Sequence, residues 1–92
     1  MTRLSRSATI VNLKGLHARA SAKFVTFVSR LPEGIKVEVE KDGQFVTGTS
    51  IMGLMMLGAA KGSDITIHVE GDQAELAIEK LIGLVVDGFG ED

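Results

Sequence analysis

The spacing of apolar and polar positions changes period several times along the 92-residue chain, and each change predicts an element. "SATIVN", Ser7 to Asn12, is rich in β-branched residues and reads as a strand closed by Lys14-Gly15. Residues 1–6 are polar and are expected to fray. From Ala18 the spacing becomes helical. Phe24, Val28 and Leu31 recur at i, i+4 and i+7 with Val25 and Phe27 beside them, while Arg19, Lys23, Thr26 and Arg30 line the other face. Pro32 and Gly34 stop this helix near Leu31.

Ile35, Val37 and Val39 then alternate with Lys36, Glu38 and Glu40, so one face of the strand is apolar and the other wet. Asp42-Gly43 supplies a positive-φ hairpin turn, and Gln44–Thr47 returns. A short apolar helix is predicted from Ser50 to about Leu57, stopped by Gly58. "SDITIHVE", Ser63 to Glu70, alternates again with Ile65, Ile67 and Val69 inward. Asp72 and Glu75 resemble a capping pair. Ala74, Ala77, Ile78, Leu81 and Val85 form a helical stripe that Gly88 ends.

The predicted order is β-α-β-β-α-β-α in a single domain spanning 1–92, its packed core at about 7–88. Four one-sided strands need one covering layer of helices, which makes an open-faced α+β sandwich. Its free sheet face is polar, with Lys36, Glu38, Thr66, His68 and Glu70, and His68 reads there as a solvated strand residue.

Composition narrows the picture. A hydrophobic content of 45% with ordinary charge density is that of a folded chain. A net charge of −2 and a pI near 5.6 lack the basic footprint of a nucleic-acid binder. The absence of cysteine excludes disulfide and thiolate chemistry. The first residues lack the apolar run of a signal peptide, and no stretch approaches the roughly 18 apolar residues of a membrane span. A monomeric, cytoplasmic protein without a metal or cofactor is expected.

One stretch carries chemistry. In "NLKGLHARAS", Asn12 to Ser21, His17 and Arg19 stand where a helix begins. Unpaired backbone N–H groups and the positive end of the dipole make that place an anion site, and the same field favours a neutral, nucleophilic imidazole. Arg19 adds a planar cation suited to phosphoryl oxygens. Such a group could accept a phosphoryl on nitrogen. From the residues alone, an ordinary capping histidine is the other reading.

"GLHARAS" resembles the active-site signature of the HPr family, the histidine-containing phosphocarriers of the bacterial phosphoenolpyruvate-dependent phosphotransferase system. "TSIMGLMMLGAAKG", Thr49 to Gly62, is similar to the family's regulatory-serine region. The resemblance covers about residues 7 to 88. It implies a four-stranded antiparallel sheet in the order 1-4-2-3, His17 as the phosphorylated residue through Nδ1, and Arg19 as its neighbour. The N–H groups of Ala18 and Ala20 would support the phosphate at the helix start. Alanine at position 20 departs from the family's usual proline, which presets φ there.

By the same resemblance, Ser50 corresponds to a serine modified by HPr kinase/phosphorylase. A serine before an apolar helical run is also an ordinary N-cap, and the two roles are compatible. Ile51, Met52 and Met55 share a helix face apart from Leu54, Leu57 and Gly58, and correspond to the family's docking patch, where thioethers suit several partners. The implied partners are enzyme I, enzyme IIA proteins of the sugar or nitrogen branch and, for Ser50, the kinase. The chain would be a relay that is itself transiently phosphorylated rather than a turnover enzyme. The rival expectations are a regulatory binding protein working through Ser50 and the patch with His17 idle, and a generic ligand or nucleic-acid module.

Overall fold

In the computed structural model, which describes residues 3–91, each stretch of two-residue alternation is a strand and each apolar stripe a helix. The elements in chain order are β1 (Arg3–Thr9), α1 (Ala18–Ser29), β2 (Lys36–Lys41), β3 (Gln44–Thr47), α2 (Ile51–Met56), β4 (Asp64–Glu70) and α3 (Ala74–Val86), followed by a short 3-10 turn at Gly88–Gly90. All strand pairs are antiparallel, in the order β1-β4-β2-β3. The β2–β3 turn carries Asp42 at φ 51° and Gly43 at φ 81°, the left-handed pair that a two-residue hairpin requires.

The register sorts the sheet's faces. Leu4, Val37 and Val39 lie opposite Val69 and Ile67, and these join Ile65 toward the helices. α3 lies across β1 and β4, and α2 packs against α1 and β3. Phe24, Ile10, Leu54, Ile78, Leu81 and Phe89 are among the fully buried side chains of the single core cluster. The α3 stripe is buried throughout, from Ala74 to Val85. Among the described residues no helix is long and apolar enough to cross a membrane.

Several expectations are corrected. Arg3–Arg6 belong to β1, whereas Met1 and Thr2 lie outside the described residues. A local reading of polar composition cannot see that Leu4 meets Val69 and that Arg3 pairs with Glu38 and Glu70 at 3.4 and 3.6 Å. The ladder ends at Thr9, and Ile10 continues only through bonds to Ser63 O and from Gly62 N, each 2.8 Å. Asp72 and Glu75 form no capping pair, because the chain enters α3 through Gln73 in the left-handed conformation (φ 60°) with no side-chain cap.

His68 is not a solvated residue. It is 9% exposed, bonded to Ser5 and Glu40, with the Phe45 ring at a centroid distance of 5.4 Å. Phe89 also enters the core, so the packed region is wider than 7–88.

Candidate functional site

A tight loop delivers His17 to the start of α1. Gly15, at φ +64°, lies where a Cβ would sit 2.3 Å from Ala59 O, so only glycine passes. Leu16 N–H then donates to that same carbonyl at 2.9 Å, tying the loop to the segment after α2. His17 is the N-cap. Its backbone is extended, and its Nδ1 accepts from Arg19 N–H at 3.3 Å. The first intrahelical bond runs from Ser21 N–H to His17 O, so the N–H groups of Ala18, Arg19 and Ala20 precede the ladder.

The other ring nitrogen meets the far end of the chain. Nε2 lies 2.6 Å from Glu91 Oε2. Because a backbone N–H can only donate, Nδ1 is the acceptor and Nε2 carries the proton, which it donates to Glu91. The nitrogen lone pair therefore faces the positive end of α1. Asn12, buried, donates through Nδ2 to Glu91 Oε1 at 3.0 Å and to Gly15 O at 2.8 Å, linking the loop and the tail. Burial opposes ionisation of Glu91. Its hydrogen bonds with His17 and Asn12, and the nearby charge of Lys23, outweigh that and hold its carboxyl below the usual value.

The tail reaches the site by a left-handed run. Gly88, Phe89 and Gly90 all have positive φ, at 67°, 57° and 73°. Burial of the Phe89 ring anchors the turn, and Lys23 Nζ donates to Phe89 O at 2.7 Å. Around His17 opens a cavity of about 640 Å³ whose lining, among the described residues, sets Lys14, Arg19 and Lys23 against one acid, Glu91. Arg19 is exposed and forms no side-chain hydrogen bond or ion pair among the described residues. Three cations, free helix N–H groups and an accessible imidazole nitrogen can hold a multiply charged oxyanion.

The sequence-derived residues divide by location. His17, Ala18 and Arg19 line one cavity, while the Ala20 side chain is in the core, so only its backbone faces the helix start. Ser50 caps α2, its Oγ accepting from Gly53 N–H at 2.9 Å. Leu54 and Leu57 are buried, and Ile51, Met52 and Met55 are exposed, as is Met56. Gly58, grouped with the buried pair from spacing, is exposed because its positive φ of 67° takes it out of the helix. The residues that sequence reasoning missed are Asn12, Glu91 and Leu13, the last exposed beside the cavity. The one available signal was an aromatic residue set between glycines at 88–90.

A histidine nitrogen presented in this way on an open-faced α+β sandwich can receive a small anionic group. The family model described as "PTS HPr component phosphorylation site" matches residues 4–87. The phosphocarrier protein HPr of Neisseria meningitidis is 47% identical over 89 residues, covering 96% of this chain and 97% of the relative. The phosphocarrier protein NPr of Shewanella violacea is 37% identical over 92 residues, covering 99% and 98%. The crystal structure of HPr from Thermoanaerobacter tengcongensis superposes with a TM-score of 0.86 at 39% identity, covering 100% of this chain and 99% of that one. The chain belongs to the HPr family of phosphotransferase-system phosphocarriers.

Proposed function

We propose that this chain, working as one monomeric HPr domain, accepts a phosphoryl group on His17 Nδ1 from phospho-enzyme I and passes it to an enzyme IIA protein. The observation that carries this reading is the hydrogen-bonding of the ring, with Nε2–H on Glu91 and the Nδ1 lone pair at the start of α1. In the forward step the lone pair gives up its contact with Arg19 N–H and attacks phosphorus, and an N–P bond forms as the bond to the donor breaks. The donor keeps the electron pair of that bond. The imidazole gains positive charge, which the Glu91 carboxylate stabilises through Nε2–H in the manner of a triad acid. The incoming oxygens meet the helix-start N–H groups and the Arg19 guanidinium. Transfer onward is the same step reversed. No change of proton on His17 is needed, which suits a relay that must run in both directions.

Ser50 and the Ile51, Met52 and Met55 face fit a regulated docking surface in the same reading. A phosphate on Ser50 would sit at the edge of exposed thioethers that a partner has to cover. HPr kinase/phosphorylase is the proposed source of that phosphate. The test of the relay is incubation with phosphoenolpyruvate, magnesium and enzyme I, followed by mass measurement and acid treatment. One acid-labile phosphoryl group on His17 is the expected result. Absence of label, or label stable to acid, overturns it.

A further inference from the structure

Three side chains on the open sheet face form a hydrogen-bonded series that the His17 chemistry does not use. Ser5 Oγ lies 2.6 Å from His68 Nδ1, and His68 Nε2 lies 2.8 Å from Glu40 Oε1. The register accounts for the first contact, since Ser5 stands directly opposite His68. The second is less automatic. The residue opposite His68 on β2 is Glu38, which turns to Arg3, and the imidazole reaches diagonally to Glu40. Phe45, opposite Glu40 on β3, lays its ring beside the imidazole. A face with no helix over it thus holds a histidine that is mostly shielded from water.

The neighbouring pairs show what a merely structural ladder looks like. Ser7 bonds Thr66 at 2.9 Å and Thr9 bonds Asp64 at 2.6 Å, which holds the edge strand without an imidazole. Ser5 differs because its partner is an imidazole whose far nitrogen is held by a carboxylate. With Glu40 ionised, Nε2–H donates to it, and Nδ1 is left to accept from the Ser5 hydroxyl. A hydroxyl, a base within hydrogen-bond reach and a third group orienting that base are the parts of an activated nucleophile.

We propose that Ser5 is a second reactive centre, an activated serine that takes acyl groups from esters of acidic phenols. Ser5 Oγ attacks the carbonyl carbon while its proton passes to His68 Nδ1. Collapse of the adduct breaks the ester C–O bond and releases the phenolate, leaving acyl-Ser5. Glu40 is a positioning residue that stabilises the imidazolium formed on the way. The half-exposed Phe45 ring offers an apolar surface to the aryl group. β1 offers no convergent pair of helix-start N–H groups, so Arg3 and Ser7, two residues to either side on the same face, are the side-chain donors on that strand for the developing oxyanion. That weaker stabilisation is why the substrate class is activated esters rather than amides.

The experiment uses the full-length His17→Ala protein, in which no accessible active-site imidazole competes, with 4-nitrophenyl acetate as the probe. Peptide mapping should find the acetyl group on Ser5 and not on Ser7 or Thr9. His68→Ala should slow Ser5 acetylation about tenfold or more, the lower range for loss of a general base. Glu40→Gln should slow it less, with an unchanged thermal melt. If His68→Ala fails to fold, His68→Gln replaces it, since glutamine keeps a donor and an acceptor but is no base. Acetyl groups on lysines with Ser5 unlabelled overturn the proposal. So does Ser5 labelled at the parent rate in folded His68→Gln.

Discussion

The two histidines of this chain have nearly the same partners and different surroundings. Each donates one nitrogen to a glutamate from a distant element, His17 to Glu91 at 2.6 Å and His68 to Glu40 at 2.8 Å. The difference lies at Nδ1. In His17 it faces a backbone N–H at a helix start, with a cationic cavity beyond, and the side chain is 26% exposed. In His68 it faces a serine hydroxyl on a flat sheet under an aromatic ring, and the side chain is 11% exposed. Under the two proposals, an identical residue with an identical acid serves an anion in one place and a proton in the other. Chemistry follows the partner of the free nitrogen, not the residue type.

Exchanging the fate of the two rings is the most direct way to break the comparison. His17→Ala should abolish phosphorylation by enzyme I while the fold survives, because the ring is at a loop-to-helix junction and not in the core. His68→Ala should leave phosphoryl acceptance per folded molecule within about twofold while costing roughly 1–3 kcal/mol, the range for removing one partner of part-buried polar contacts. Acid-labile label measured beside urea unfolding separates the two. Acceptance lost in a folded His68→Ala protein would sink the distinction.

The next largest effect concerns the arm that carries Glu91. Phe89→Ala should destabilise by about 3–5 kcal/mol, as for other buried aromatic truncations. In the fraction that stays folded it should also free the tail from Lys23 and His17. Urea titration gives the first effect, and amide resonances of the Asn12 side chain report the second.

Arg19→Ala should slow transfer in both directions by about tenfold, as expected for one charge-assisted contact to a phosphoryl oxygen. Stability should change by no more than ~0.5 kcal/mol, because the guanidinium is exposed and has no partner among the described residues. Rapid-quench transfer rates and a thermal melt check both halves. No corresponding loss should follow from Arg3→Ala on the other face.

Acid sharpens the comparison further. The Glu91 carboxyl titrates below its ordinary value of 4.5, so its contacts with His17 and Asn12 are complete above the usual carboxylate range and are lost as pH falls through the lowered value. A pH titration followed by the Asn12 side-chain amide should show the tail releasing only below that range. Release at neutral pH would mean that Glu91 does not hold the ring. The smallest effect is at Ser50. Ser50→Asp should raise the half-saturation for enzyme I by about two- to fivefold, the effect of one rim charge, with the melt unchanged because aspartate is also a good N-cap. A lower maximal rate at saturating enzyme I would count against docking as the mechanism.

Much of this was legible in the chain itself, and the reason is distance along it. Asp42-Gly43 is a hairpin turn because its neighbours on both sides alternate, and Ser50 and His17 cap helices that begin beside them. The α3 stripe from Ala74 to Val85 is read from spacing within one element. These features depend on residues a few positions apart, where periodicity and side-chain reach carry the information. Two of the misreadings have the opposite property. Arg3–Arg6 looked frayed and His68 looked solvated because their partners are on other strands.

The sequence by itself therefore determined the order of elements, the helix start that carries His17 and Arg19, and the apolar and polar faces of β2 and β4. Only the tertiary structure decided what those faces meet. It brought Glu91 to His17 across 74 residues, Lys23 to the Phe89 carbonyl across 66 and Ser5 to His68 across 63. Contacts of that span are set by sheet register and by the left-handed turn at Gly88–Gly90, both of which exist only once the whole core has packed.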